Sequence, residues 1–202
     1  MDIVLPSINI HTLLIMAHVL GTTLGVGGAT ISDLLFFRAT QDGRIEAKEW
    51  EILKMVSLVI WVGLLLAVAS GLGFLLEYAM TPEKTQYLAN PKIWAKLTIV
   101  GIIFANGLLL HWKLFPIFES MVGRPMGESR FVKNMTLVFT SGAVSITSWY
   151  IAFIMGTWRG LNFTLNYWQL LLVYGVILAS AIVVANVVGR MHAKPHIEIE
   201  RT

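Results

Sequence analysis

Two histidines and several glycines share one apolar stretch near the N-terminus, HTLLIMAHVLGTTLGVGGATISDLLFFR. His11 and His18 are seven residues apart, so a helix would place them on one face, about 10.5 Å apart along its axis. An imidazole Nε2 can coordinate haem iron, and an ionisable group inside a membrane span marks a functional site by default. We therefore predict that His18 binds a cofactor or takes part in a proton relay. His11 is a second candidate ligand, although an interfacial position explains it more simply.

The glycines of the same stretch extend the histidine face. Gly25 continues the heptad stripe of His18, and Gly21 and Gly28 lie beside it. Missing side chains would let a flat porphyrin lie against the helix backbone, so we count all three among the predicted cofactor-binding residues. The alternative is that Gly21 and Gly25 form a small-xxx-small motif, which allows two membrane helices to pack closely without any ligand.

A lysine in the third apolar span is predicted to lie at the depth of these histidines. The third span runs in the same direction as the first, so Lys96 lies about 5 Å and His18 about 15 Å from the same membrane face. We expect His11, His18 and Lys96 to gather in one half of the bundle. Lys96 could alternatively extend its ammonium group to the lipid headgroups.

A second group of polar residues is predicted in the other half of the bundle. His111 lies about 27 Å from the start of its span, which places it near Asp33 and Asn106. This group predicts a proton path through Asp33 and Asn106, and a second metal or cofactor site at His111. The alternatives are a salt bridge between Asp33 and Arg38 and an interfacial position for His111.

The composition requires an apolar environment for these residues. Of 202 residues, 56% are hydrophobic and only 13% are charged, and the mean hydropathy is +0.71. These values predict an integral membrane protein. The net charge of +3 arises from basic residues in short segments between apolar runs, which excludes nucleic acid as a partner. The chain has no cysteine, so thiolate metal sites and disulfides are excluded as well.

Five apolar segments are long enough to cross a bilayer, which takes about 20 residues. We predict an all-α fold in which one transmembrane domain, residues 1–202, forms a single bundle. Pro91 should open the third span and Pro116 should close it. The predicted spans are 8–37, 55–77, 93–115, 131–157 and 167–189.

The basic residues predict the orientation of the bundle. Eleven of the fifteen lysines and arginines fall in the first connection, the third connection and the C-terminal tail. The positive-inside rule then places the N-terminus outside and the C-terminus in the cytoplasm. We expect a multi-pass protein of a cell membrane, of the bacterial inner-membrane type.

No nucleotide-binding or hydrolase motif is present.

Two segments carry a family resemblance. AHVLGTTLGVGGATISDLLFFRA and IWAKLTIVGIIFANGLLLH resemble the first and third helices of small haem-associated membrane proteins of the HemJ-type protoporphyrinogen oxidases and the CopD-like domain. The resemblance covers about the first 115 residues. It implies that His18 ligates haem and that Lys96 is the essential, catalytic lysine. The chain differs in its fifth span and in placing His111 one turn further from Lys96.

These observations lead to one principal hypothesis and two alternatives. The principal hypothesis is a membrane redox protein that binds haem b and exchanges electrons with a quinone or a porphyrinogen. The first alternative is a transporter or channel for protons or metal ions. The second is a non-catalytic subunit, whose glycine and serine faces dock onto a membrane-complex partner or a second copy of the chain.

Overall fold

The architecture is helical throughout the described part of the chain. A computed structural model describes residues 9–42, 44–124 and 129–199, and the side chains of residues 40–42, 129–131 and 192–199 are left undescribed. The helices are α1 (Ile10–Asp42), α2 (Ala47–Met80), a 3₁₀ helix (Pro82–Ala89), α3 (Pro91–Leu109), a π turn (Leu110–Leu114), α4 (Phe115–Glu119), α5 (Ser129–Thr157), a second 3₁₀ helix (Arg159–Leu161) and α6 (Tyr167–Ile199).

Five of the described helices are long and apolar enough to cross a membrane, which confirms the predicted number of spans. The third span consists of α3, the π turn and α4 together. Large hydrophobic side chains on α6, such as Leu172, Val176 and Val183, are exposed, as expected of a surface that faces lipid. The five apolar spans are Ile10–Ala39, Ala47–Met80, Pro91–Glu119, Val132–Thr157 and Tyr167–Met191.

Local signals explain where α2 and α3 begin. The backbone N–H of Glu46 donates to Glu49 Oε2 at 3.0 Å, one of the two bonds of a capping box. Asn90 caps α3 by accepting the backbone N–H of Lys92 at 3.1 Å, and Pro91 occupies the first helical position, where it loses no hydrogen bond. Because α2 already begins at Ala47, its first two turns contain residues that the sequence pattern assigned to a connection.

The third span does not end at Pro116, contrary to the prediction. The π turn immediately precedes the proline, and α4 continues the helix to Glu119. A proline removes one backbone donor and crowds the carbonyl four residues earlier. The wider π turn changes that hydrogen-bond pattern, and Pro116 then lies in the first turn of α4, where its missing N–H is tolerated.

The closest helix pair is α1 with α2, and glycines make it possible. A Cβ atom on Gly21 would lie 2.6 Å from Ala67 N and 2.8 Å from Gly63 O. A Cβ atom on Gly63 would lie 2.7 Å from Gly25 N. These are backbone atoms that cannot move aside, so only glycine permits this approach. On the other side of the bundle, α5 packs against α3 and α6.

Candidate functional site

The close approach of α1 and α2 fixes the imidazole of His18. Its Nδ1 lies 3.1 Å from the carbonyl oxygen of Ala67 and 3.0 Å from Ser70 Oγ. A carbonyl oxygen can only accept, so we assign the proton of the neutral ring to Nδ1. The hydroxyl of Ser70 donates to Leu66 O at 2.7 Å, which leaves its oxygen able to accept from His18. The Nε2 lone pair therefore points away from α2.

Lys96 meets this lone pair. Its Nζ lies 3.1 Å from His18 Nε2, so the ammonium group can donate a hydrogen bond to the imidazole. Gly156 on α5 provides the space, since a Cβ atom at that position would lie 3.2 Å from Lys96 Nζ. The predicted gathering of His18 and Lys96 in one half of the bundle is therefore present in the structure.

Both residues line a cavity of about 390 Å³, which we call the His18 cavity. Its lining residues come from α1, α2, α3, the end of α5 and the two 3₁₀ helices, and we call the end at the 3₁₀ helices its mouth. Its walls are mainly apolar and aromatic, with Phe74, Tyr78 and Tyr87 on one side and Val100 and Met155 on another. Cofactor pockets commonly have volumes of about 300–1,000 Å³ and walls of this kind.

The charged residues that line the His18 cavity are all basic. Lys92, Lys96 and Arg159 line it, and no acidic residue does so among the described residues. Lys92 Nζ donates to Trp158 O at 3.0 Å, which holds its ammonium group beside Arg159 at the mouth. The cavity is therefore suited to an apolar ligand that carries negative charge near the mouth.

The three predicted cofactor glycines do not line this cavity. Gly21 faces Gly63 and Ala67, Gly25 faces the Trp149 ring, and Gly28 faces Ile60. The structure thus uses them for helix packing, the alternative that the sequence left open. Two other glycines contribute to the wall of the cavity, namely Gly71 and Gly156. Gly71 directly follows Ser70, a polar residue inside an apolar span, and this position could have indicated it from the sequence.

His11 lies near His18 but makes its own contacts. Its Nδ1 lies 2.7 Å from Glu77 Oε2, and Glu77 Oε1 lies 2.6 Å from Lys84 Nζ. This network joins α1, α2 and the first 3₁₀ helix. His11 does not line the His18 cavity, so its observed role is to tie together the helices at the mouth.

The residues of the other half are only partly brought together. Asp33 and Asn106 line a smaller cavity of about 100 Å³, the Asp33 cavity. His111 does not line it; it is exposed on the π turn, with its ring centroid 5.7 Å from that of Phe115. In the part of the chain that the structure describes, no three His, Asp or Glu side chains are placed to hold a metal ion.

Comparison with known proteins adds no assignment. No family model matches the chain, and neither the curated proteins nor the solved structures contain a similar one. The resemblance to the HemJ-type and CopD-like proteins therefore stays a prediction.

Proposed function

We propose that the protein is a membrane redox protein that binds b-type haem in the His18 cavity. It would lie in a bacterial-type inner membrane with its N-terminus outside, so that the His18 cavity belongs to the outer half of the bilayer. The observation that carries this proposal is the fixed imidazole of His18, which directs its Nε2 lone pair away from α2 into a cavity of cofactor size.

The hydrogen bonds of His18 are those that a ligating histidine needs. Histidines that bind metals generally donate their other ring N–H to a carbonyl or carboxylate, which fixes the tautomer and orients the ring. The bond from Nδ1 to Ala67 O, at 3.1 Å, supplies this support. A haem iron would take the place that Lys96 Nζ now occupies at Nε2. Lys96, whose side chain is long and unbranched, would then have to leave that position.

The basic mouth favours a tetrapyrrole over a quinone. Haem and porphyrinogens carry carboxylates on one edge of an apolar macrocycle, whereas a quinone carries no charge. Lys92 and Arg159 lie where carboxylates would leave the membrane interior, and the aromatic wall formed by Phe74 and Tyr78 suits the macrocycle. Of the two partners that the sequence suggested, the porphyrinogen therefore matches the lining better.

The chain itself would position the ligand and manage protons. Bound haem supplies reversible one-electron chemistry. His18 would ligate the iron, Lys92 and Arg159 would hold the carboxylates, and the apolar walls would exclude water. Lys96, once displaced from Nε2, remains inside the cavity as a group that can give a proton to a ligand atom or take one from it.

An absorption spectrum tests the proposal. The full-length protein is purified in mild detergent after expression with ample haem. A Soret band that stays with the protein through size-exclusion chromatography is expected. A protein that carries no Soret band under these conditions would sink the proposal.

A further inference from the structure

The Asp33 cavity is a separate chamber, and the function proposed above makes no use of it. Its lining residues and those of the His18 cavity do not overlap. Residues from α1, α2, α3, the π turn, α4 and α5 form its walls, and Asp33 is the single charged residue among those described. An ionised carboxylate inside the membrane is unfavourable in free energy unless a positive charge neutralises it, so the ionised form of Asp33 would be costly.

Two residues that line this chamber each have a buried side-chain atom without a hydrogen-bond partner. Asp33 Oδ2 and Trp50 Nε1 are the buried side-chain atoms that have no hydrogen-bond partner among the described residues, and both residues line the Asp33 cavity. Trp50 is only 6% exposed, so bulk solvent does not reach its N–H. One atom is an acceptor and the other a donor, and buried polar groups of this kind are normally satisfied by protein or by water.

The chamber has the size and polarity to hold water. A water molecule needs about 10–15 Å³ of cavity volume and two to four polar partners. The cavity offers about 100 Å³ and the hydroxyls of Ser32, Ser57 and Ser145, in addition to Asp33 and Trp50. Water can therefore connect Trp50 Nε1, the hydroxyls and Asp33 Oδ2 in one hydrogen-bonded group.

No positive side chain neutralises Asp33 in the described structure. Both salt bridges found there belong to Glu77, so the alternative of a pair with Arg38 is not realised. Besides Asp33, the lining residues with polar side-chain groups are Ser32, Trp50, Ser57, Trp61, Asn106, Ser145 and Trp149, and none of them titrates near neutral pH.

We propose that Asp33 is a proton-binding site that is loaded and unloaded through water in the Asp33 cavity. A hydronium ion in the water cluster gives its proton to Oδ2 of the carboxylate: one O–H bond of the hydronium breaks, one forms on Oδ2, and a neutral carboxyl group and a neutral water molecule remain. Release reverses this step, and no electrons or other bonds are involved. Trp50 Nε1 donates to the water that serves Asp33 and so positions it.

Asn106, predicted as part of the proton path, is held by two hydrogen bonds. Its Nδ2 donates to Ser141 O at 3.0 Å, and Ser141 Oγ donates to Asn106 Oδ1 at 2.9 Å. This reciprocal pair uses the amide to hold α3 against α5. Asn106 is therefore a structural wall of the chamber, and its part in the proton path stays a prediction.

The small number of aspartates makes a selective test feasible. The chain contains Asp2, Asp33 and Asp42 alone, so the full-length protein can be produced with ¹³C-labelled aspartate carboxyls and placed in lipid nanodiscs. Infrared and solid-state NMR spectra then distinguish the protonated carboxyl from the carboxylate across a range of pH, in H₂O and in D₂O. The variants are Asp33→Asn, Trp50→Phe and the matched control Asp42→Asn.

The proposal predicts one labelled aspartate that is protonated at neutral pH and whose infrared band shifts in D₂O. The band should vanish in Asp33→Asn, persist in Asp42→Asn and change position in Trp50→Phe, which keeps the carboxyl group. A wild-type spectrum without a protonated aspartate would overturn the proposal. So would a band that fails to shift in D₂O, or a carboxylate signal that responds to Na⁺ or K⁺ at constant pH, which would indicate an inorganic cation site.

Discussion

Lys96 Nζ lies 3.1 Å from His18 Nε2, although the two residues are 78 positions apart in sequence. The contact joins the first span to the third and turns two costly polar residues into a pair at the wall of one cavity. It also means that the lone pair that the proposed haem iron would use is hydrogen-bonded to an ammonium group. Ligand binding and the position of Lys96 are therefore coupled.

Replacing Lys96 with methionine tests this coupling. Lys96→Met keeps an unbranched side chain but removes the donor at Nε2. A hydrogen bond to a charged group contributes about 1.5–3 kcal/mol, and 1.4 kcal/mol is about tenfold in affinity. We expect Lys96→Met to bind haem about 10- to 100-fold more tightly, measured by absorbance titration of the haem-free protein.

The control for this variant is Lys113→Met, because Lys113 is an exposed lysine on the π turn and does not line the His18 cavity. Its affinity should equal that of the wild type. Weaker haem binding in Lys96→Met would show that Lys96 supports the ligand and does not compete with it.

Arg159 is expected to recognise carboxylates at the mouth. Exposed ion pairs contribute about 0.2–1 kcal/mol, so Arg159→Gln should weaken binding of protoporphyrin by up to about fivefold. The dimethyl ester of protoporphyrin has no carboxylate and should bind wild type and variant equally. Fluorescence titration measures both ligands, with Arg190→Gln as the control. An equal loss for the acid and the ester would contradict a role in charge recognition.

The helix pair α1–α2 should be intolerant of a methyl group at Gly21. The added Cβ meets backbone atoms of α2, as close as 2.6 Å, and overpacking typically costs about 1–3 kcal/mol. Gly21→Ala should therefore lower the thermal midpoint in detergent.

Gly27 provides the matched comparison on the same helix, since a Cβ atom at that position would have nothing within 4 Å. Gly27→Ala should leave the midpoint unchanged or raise it slightly. Similar midpoints for the two alanine variants would argue against the observed approach of α1 and α2.

Ser141 is expected to stabilise the bundle through Asn106. In Ser141→Ala the buried amide oxygen of Asn106 loses its donor, which costs about 1–3 kcal/mol. Ser180→Ala is the control, because the exposed Ser180 hydroxyl bonds only to Val176 O within its own helix. Chemical unfolding in detergent, followed by circular dichroism, measures the difference. Equal stability of the two variants would mean that the Asn106–Ser141 pair has no net effect.

The sequence predicted the depth of residues well and their angular position less well. His18 and Lys96 meet as expected, because both were measured from the same membrane face at a fixed rise per residue. The same count placed Asp33 and Asn106 in one layer. The depth of a residue does not determine which side of its helix faces which neighbour. The sequence therefore does not predict which residues Gly21 and Gly28 contact.

Two further differences have local causes. The π turn adds a residue to the helical repeat at Leu110–Leu114, so the face of His111 does not follow from a 3.6-residue period. Trp50 was missed because the first turns of α2 are rich in charge and fall outside the apolar window. Gly156 reaches the His18 cavity from the end of a distant span, and no motif links it to His18.

The visible absorption of the His18→Ala variant tests whether His18 ligates haem. The wild type, His18→Ala and His111→Ala are expressed with ample haem, purified in parallel and compared at equal protein concentration. We expect a Soret band in the wild type and in His111→Ala and no Soret band in His18→Ala. Circular dichroism should show that His18→Ala keeps its helix content. Identical Soret bands in the wild type and His18→Ala would contradict the assignment of His18 as the haem ligand.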